Sequence, residues 1–579
     1  MAIWFLENAN RLLHERKEIE QLQLTKKWLL GVEWLISGNE LAVQVKIEAH
    51  GHIYELEMGY PPLFPYSPPG VKSIEKEKWW TEHQYVNGTL CLEWGPDNWH
   101  ENVTGAIILE SAYRLICAEN PKGKRSGEAS SVVLSRHSLS IGQELRRETI
   151  RLYINQVLLE IASNLKPAEY KKMNFHYIFE NKATVVHIGQ VYDESKIMWE
   201  NDYLSNKLKS KPLGKGGIYH VSNASTEIKS LSSSEELKLL LLKNGYKEEC
   251  AEFEDLTNSL FILVDEVGKL FPLLCIKNTE KIHKIPIIID KENIDRRQPE
   301  LFSLKDKKVG MVGVGSLGGK IVNALARSGV EKFFLVDEDL FLSGNIQRHT
   351  LDWRNVGNHK VDAIKDQLEF ISSSIEVDIS RINLTGQEAT TSLNANITEL
   401  GSCDVIVDAT ADSKVFNLLS AICKNYEKPM IWGEVFSGGI GGLIARSRPK
   451  SDPSPQIMRK ALLETTSASE MPTISQIGEE PYGLQTESGE VWLASDADVG
   501  VIANHLARYI IDALKDEESD YPFSMYLIGL KKSWIFDQPF EIFPIDTNHL
   551  IEGIPPQENQ NVIKEVIDFI APLLEKKND

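Results

Sequence analysis

VGMVGVGSLGGKIVNALARSGV, residues 309–330, decides the fold of the C-terminal half. An apolar run leads straight into Gly313, Gly315 and Gly318, and the apolar residues after them recur at helical spacing. In a strand–turn–helix unit the first glycine permits a tight turn and the second lets backbone approach a phosphate. The third lets the helix pack on the strand, and the N–H groups of the first helical turn face the anion. Three glycines at this spacing are weak evidence alone; between a buried strand and an amphipathic helix they point to a nucleotide site rather than a plain packing turn. Working outward, EKFFLVDED, CDVIVDATAD and KPMIWGEVF read as further short buried strands, with helical patterns between several of them. From about Ile294 the chain therefore predicts a doubly wound, mostly parallel, Rossmann-like sheet.

Asp337 ends the second strand, where an acid holds ribose hydroxyls in a nicotinamide enzyme or an adenylating one. The next segments separate the two. LSGNIQRHT sets Asn345 and Arg348 three apart, on one side of a helical turn, and NVGNHKVDAIK adds Lys360. An amide and two cations suit a triphosphate that must be neutralised for attack at its α-phosphorus. A pyrophosphate merely held for hydride transfer needs less, so NAD-dependent redox chemistry is disfavoured.

The stretch from Asp295 to about Thr410 resembles the adenylation domain of the ubiquitin-activating and sulfur-carrier-activating (ThiF/MoeB-like) superfamily. Gly313, Gly315, Gly318, the D-x-D of Asp337 and Asp339, the N-x-x-R of Asn345 and Arg348, and Lys360 at a G-x-x-K step carry the match. The resemblance implies ATP and Mg²⁺, with Arg348 and Lys360 as catalytic groups, and a homodimer. It also implies that Arg296 or Arg297 in IDRRQPELF reaches ATP phosphates, in family dimers from the neighbouring subunit. The family's magnesium-linked aspartate follows a D-x-T step; here Ala411 holds that place, and Asp412, one later, is the candidate. The cysteine pairs that bind structural zinc in many sulfur-carrier activators are absent.

A ubiquitin activator passes its adenylated carboxylate to a cysteine of its own. Beyond Cys423 this chain has none, and PYGLQTESGEVWLASDADVG offers only Leu484, Thr486 and Ser488 where such a loop would lie. Cys403, at a strand start, and Cys423, on a helix, read as core residues. Either a thioester forms directly on Cys91 or a relay cysteine has been replaced; both stay open.

Around Cys91, the segment TEHQYVNGTLCLEWGPDNWHENVTGAIILESAYRLI follows the proline-rich turn YPPLFPYSPPGV. The turn, the Gly88-Thr89-Leu90-Cys91-Leu92 step, Trp99 eight residues past the cysteine, and the helical pattern after it resemble the active-site region of ubiquitin-conjugating enzymes. A thiol on an exposed extended segment can accept an acyl group from one large partner and yield it to another; the plainer reading is a buried structural cysteine. The family carries His-Pro-Asn ahead of its cysteine, the Asn supporting the oxyanion. HQY at His83 is not that motif, so Asn87 or His83 stands as substitute. Asp97 and His100 are weaker candidates for orienting or deprotonating an amine, each also readable as a solvated loop residue.

The rest sets bounds. At 579 residues the chain predicts several domains. We expect an α/β and α+β multidomain protein: a ubiquitin-conjugating-like α+β domain (1–165), an α/β linker domain (166–293) with no chemical motif, and the adenylation domain (294–579). Within the first, a helix is expected over 5–30 and another over 142–165. A net charge of −20 argues against nucleic acid as main substrate. The six scattered cysteines argue against a disulfide framework or zinc site, and no apolar run reaches membrane-spanning length, so a cytoplasmic protein is expected.

This domain order is similar to that of the activating–conjugating fusion proteins of CBASS antiphage operons. That resemblance implies a cGAS/DncV-like nucleotidyltransferase as the partner whose C-terminal carboxylate is activated and conjugated to an amine, in antiviral defence. The alternatives are a sulfur-carrier adenylyltransferase, in which Cys91 carries no acyl group, and a non-catalytic nucleotide-binding scaffold.

Overall fold

The computed structural model describes residues 3–37, 40–74, 83–85, 87–123, 140–180, 183–209, 214–222, 227–228, 231–247, 259–275, 281–290, 297–467, 483–485, 491–515, 518–547, 564 and 566–570. The chain divides into two compact units, Met1–Arg147 and Glu148–Asp579.

In the first unit, helix Ala9–Thr25 is capped by Asn8, whose side chain accepts from Arg11 N. Four antiparallel strands follow as a meander: Leu29–Ser37, Glu40–Ala49, His52–Gly59 and Gly70–Ser73. Alternation puts Val43, Val45 and Ile47, with Leu56 and Met58 of the next strand, into one core. Helix Gly105–Glu119 adds Ile108, Leu109, Ala112 and Ile116 to that core. A fully buried Glu15 ties the pieces together: Tyr60 Oη donates to Oε2 at 2.8 Å, Gly105 N at 2.6 Å, and Arg11 pairs with Oε1 at 2.8 Å. A Cβ at residue 105 would lie 2.3 Å from that Tyr60 oxygen, so the carboxylate reaches the helix start only because it is glycine. The expected helix over 5–30 is shorter, ending at Thr25 because Leu29 already enters the sheet.

The expected helix over 142–165 is instead a strand, Ile150–Asn155, and a helix, Gln156–Ser163. The β-branched and aromatic run IRLYI pairs in parallel with Ile287–Asp290 on one side and Ala183–Asp193 on the other. Sheet pairing outweighs the helical pattern, and the first compact unit ends at Arg147. The middle segment is a mixed nine-stranded sheet. SLFILVDE, LFPLLCI and KIPIIID contribute the strands Ser259–Val264, Leu270–Cys275 and Ile287–Asp290.

The C-terminal part is an eight-stranded sheet. Its order is Glu376–Ser380, Lys332–Val336, Lys308–Val312, Val405–Asp408, Met430–Val435, Gly441–Ser447, Met525–Gly529 and Ile542–Ile545. The first five strands run parallel and the last three pair antiparallel. The chain starts at the third of these, moves outward one way, then returns to the other side, so strand order reverses between Lys308–Val312 and Val405–Asp408. Ligands bind doubly wound sheets in the crevice outside the carboxyl ends at that reversal.

Helix Lys360–Glu369 packs beside Glu376–Ser380, and its far end meets the middle segment. Ser205 Oγ donates to Glu369 O at 2.8 Å, and Lys207 Nζ lies 2.7 Å from Asp366 and 3.2 Å from Glu369. Among the described residues, no helix is long and apolar enough to cross a membrane.

Candidate functional site

A cleft of about 420 Å³ opens where the strand order reverses. Gly313, Gly315, Asp337, Asp339, Asn345, Arg348, Lys360 and Asp412 all line it, whereas Gly318 does not. The Gly-rich turn performs as its spacing predicts. Gly313 has φ +84°, and a Cβ there would lie 2.9 Å from Thr410 Cγ2. A Cβ on Gly318 would sit 1.9 Å from Gly313 O, which backbone cannot yield. At Gly315 a Cβ would meet nothing within 4 Å: its missing side chain leaves open space beside the cleft. Gly315 also caps helix Ser316–Ser328 without a side-chain hydrogen bond, leaving the first N–H groups to a ligand.

Asp337 braces this turn. Its Oδ2 accepts from Val314 N at 2.8 Å and its Oδ1 from Asp339 N at 2.9 Å. Burial pushes its pKa up, while nearby Lys360 and these two bonds pull the other way. Lys360 lies 2.6 Å from Asp339, its side chain only 11% exposed, and its N–H donates to Asp339 O at 2.9 Å. Arg348 is held through its backbone: Ser316 Oγ and Lys320 Nζ both donate to its carbonyl, and Lys320 pairs with Asp496 at 2.6 Å. Asn345 Oδ1 accepts from Leu342 N at 2.9 Å, so its carboxamide also shapes the short 3-10 turn that carries Arg348.

Asp412 reaches the cleft by a detour. The step Asp408-Ala409-Thr410-Ala411-Asp412 has Ala411 at φ +57°, a left-handed conformation that an alanine adopts at a cost. Past this bend Asp412 caps helix Ser413–Asn425, where Oδ1 accepts from Lys414 N at 2.6 Å and Val415 N at 3.2 Å.

Arg297 does not line this cleft. Its guanidinium lies beside Gly329, at the opposite end of helix Ser316–Ser328 from the Gly-rich turn. Arg296, Thr486 and Ser488 lie outside the described residues. Cys403 and Cys423 are buried, and burial pushes both thiols up to about 12, as core residues require.

The sequence reading missed several groups. His349 Nε2–H donates to Val314 O at 2.9 Å while Nδ1 accepts from Leu351 N, which fixes a neutral ring under the Gly-rich turn. Burial drops its pKa to about 4. Asp408 is buried and pushed up to about 6 by desolvation, against two bonds from Thr410. Asn383 and Thr385 enter the cleft after strand Glu376–Ser380, whose alternating EVDIS was the available signal.

Cys91 belongs to the other unit and sits in a different setting. Its N–H donates to His83 O at 2.7 Å, and the bridge Gln84↔Leu90 pairs the two arms of a short hairpin. Gln84 and Leu90 are buried, while Tyr85 is exposed and Cys91 only partly covered. The thiol is half-buried, not sealed. The neighbouring Cys91 thiol, with partial burial, pushes the Tyr85 phenol up to about 12. His83 turns inward, 2.8 Å from the buried Glu119. Asn87 Oδ1 accepts from Thr89 N inside the hairpin turn. His100 stacks edge-on against Trp94 at 5.4 Å, and Asp97 is exposed. Trp99 Nε1 donates to Pro65 O at 2.7 Å, pinning the loop after the cysteine to the proline-rich turn.

Residues 292–522 match the ThiF family. An uncharacterized protein of Sinorhizobium fredii, y4qC, is 32% identical over 175 residues, covering 29% of this chain and 30% of that one. The ATP-dependent ubiquitin transferase-like protein Cap2 of Enterobacter hormaechei is 34% identical over 131 residues, 22% of this chain and 20% of Cap2. The adenylyltransferase and sulfurtransferase MOCS3 of Aedes aegypti is 32% identical over 133 residues, 23% of this chain and 29% of that one. The chain thus spans less than a third of each of these relatives.

Proposed function

From a ThiF-family domain at residues 292–522 and a half-exposed thiol at Cys91, we propose that this chain adenylates a protein's C-terminal carboxylate and carries the acyl group to an amine. The observation that carries the reading is the cleft at the strand reversal, where an open glycine cradle, an uncapped helix start, Arg348 and Lys360 converge. That set fits a nucleotide triphosphate.

The cleft is lined by four carboxylates (Asp337, Glu338, Asp339, Asp412) and two cations (Arg348, Lys360). A triphosphate added to that balance needs a further positive charge, which fits Mg²⁺, and Asp412 is the residue that would hold it. Bound there, Mg²⁺ supplies neutralisation of the departing pyrophosphate. Lys360 exchanges Asp339 for phosphate, Arg348 neutralises charge developing at the α-phosphorus, and His349 and Asp337 hold the Gly-rich turn rigid. The carboxylate oxygen bonds to the α-phosphorus as pyrophosphate leaves. The Cys91 thiolate then takes the acyl carbon and AMP leaves, directly or through a relay, and an amine displaces the thiolate.

The order of elements around Cys91 supports the carrier role: a helix, a four-stranded meander, an extended cysteine segment, a second helix. Similarity to Cap2, named as an ATP-dependent ubiquitin transferase-like protein, favours this conjugating reading. The domain order extends the proposal to a cGAS/DncV-like nucleotidyltransferase as the acyl donor, conjugation in CBASS antiviral defence, and a homodimer in which Arg297 serves the partner's cleft. Similarity to MOCS3 favours the second reading, adenylation for sulfur transfer with Cys91 idle.

Incubation with ATP and candidate donors, followed by mass spectrometry, decides between them. A reductant-sensitive acyl adduct on Cys91 is expected. ATP–pyrophosphate exchange with normal turnover to final product in Cys91→Ser supports the sulfur-transfer reading instead. No exchange with any donor leaves a scaffold.

A further inference from the structure

Arg348 is held by more than its own turn. It ends the 3-10 turn Ser343–Arg348, so its carbonyl faces out of the turn and needs a donor from elsewhere. Lys320 Nζ supplies one at 2.7 Å, beside the Ser316 hydroxyl. The same ammonium lies 2.6 Å from Asp496 and 3.4 Å from Ser316 O, so its three N–H groups have three acceptors and a fixed direction. Lys320 is only 12% exposed, and it stands in the opening turns of helix Ser316–Ser328. A cation there opposes the helix dipole and burial adds a desolvation cost, so helix stability does not account for it. Asp496 offsets both costs. It opens helix Asp496–Leu514, capped by Ser495, and Val499, Ile502, Ala503 and Leu506 of that helix pack into one core with Ile321, Val322 and Leu325. The ion pair therefore runs from a well-anchored helix to the backbone of Arg348. Arg348 and Ser316 line the cleft; Lys320 does not.

We propose that Lys320, held by Asp496, is a positioning residue for Arg348: it fixes the backbone from which the guanidinium reaches the phosphates of ATP, and touches no phosphate itself. This rests on the reading of the cleft as an ATP site. Without the ammonium, the Arg348 carbonyl keeps only the Ser316 hydroxyl, while His349 stays pinned to Val314 O. The turn then loosens at Arg348 without being dismantled. A guanidinium on a freer backbone loses more conformational entropy when it engages an anion, and affinity falls by that amount.

Titration calorimetry of the full-length protein with MgATP alone tests this. Arg348→Met is expected to weaken binding ~30-fold and Lys320→Met ~10-fold. In the Arg348→Met background, Lys320→Met should cost less than about twofold more, because its effect runs through the guanidinium. Lys320→Arg, which keeps the charge and the donors, should bind within about threefold of the native chain. Native affinity in Lys320→Met overturns the proposal alone. So do additive losses in the double variant, which would mean that the ammonium meets phosphate directly. A native chain that does not bind MgATP removes the ATP reading, and the proposal with it. Where Lys320→Met lowers the thermal midpoint by more than ~5 °C, Asp496→Ala, at a half-exposed site, takes its place in the cycle. Its expected loss is ~3-fold and likewise vanishes beside Arg348→Met.

Discussion

The two candidate sites are built in opposite ways. The cleft draws its walls from segments spread between Val312 and Val415, and its polar groups are braced by backbone: Asp337 by two N–H groups, His349 by a carbonyl, Asp412 by a helix start. Cys91 is served by a hairpin of neighbours in sequence and stays half open. A small charged ligand gains from convergence and exclusion of water, whereas a thiol that meets two proteins in turn must remain on a surface. Enclosure needs long-range folding; exposure needs only a local turn.

The sharpest break in that contrast is to remove the sulfur. Cys91→Ser should abolish amine conjugation by at least ~10³-fold, while ATP–pyrophosphate exchange by the cleft stays within about twofold. Loss of both activities together would mean the sites are not separable. Next comes the cleft's backbone. Gly318→Ala forces a methyl onto Gly313 O and should weaken nucleotide binding by ~10²-fold and stability by about 2–3 kcal/mol. Peptide-thioester uptake at Cys91 should survive, and titration calorimetry beside that assay reads both halves.

Bracing by neutral groups gives the cleft a pH signature. The fold depresses the His349 pKa from 6.5 to about 4, so its stabilising contribution is complete above pH 6.5 and is lost as pH falls toward 4. Asp408, raised to about 6, moves the other way: its ionisation opposes folding increasingly from pH 3.8 to 6, and acid relieves it. The two oppose each other in the native chain, so the informative quantity is a difference. Between pH 7 and 4.5, denaturant titrations should show the native chain losing about 2 kcal/mol more than His349→Gln. The smallest effect tests the detour. Ala411→Gly removes a methyl from a left-handed position and should stabilise the C-terminal unit by roughly 0.5–1 kcal/mol, seen as a raised denaturant midpoint.

The doubly wound sheet was legible because its signals are local and redundant: glycine spacing, apolar runs and terminal acids all agree at Gly313–Asp339. The residues Asn345, Arg348 and Lys360 could be placed for the same reason, since each follows a recognisable step. What the sequence hid depends on contacts across distance. His349 reads as an ordinary residue after Arg348, and only folding shows it under Val314. The setting of Cys91 became visible only through the hairpin that pairs Gln84 with Leu90. The stretch 150–163 misled because IRLYI and QVLLEIA are both apolar with helix-compatible spacing, and the choice between strand and helix was made by partners at Ile287 and Val185.

Helix Lys360–Glu369 deserves a mechanical reading. Its first residue grips Asp339, Asn323 holds Gln367 from the neighbouring helix, and Ser205 and Lys207 clasp its last turn. Ten residues make a stiff rod about 15 Å long. The cleft wall at Asp339 and the segment around Ser205–Lys207 are thus fastened to opposite ends of one rigid element.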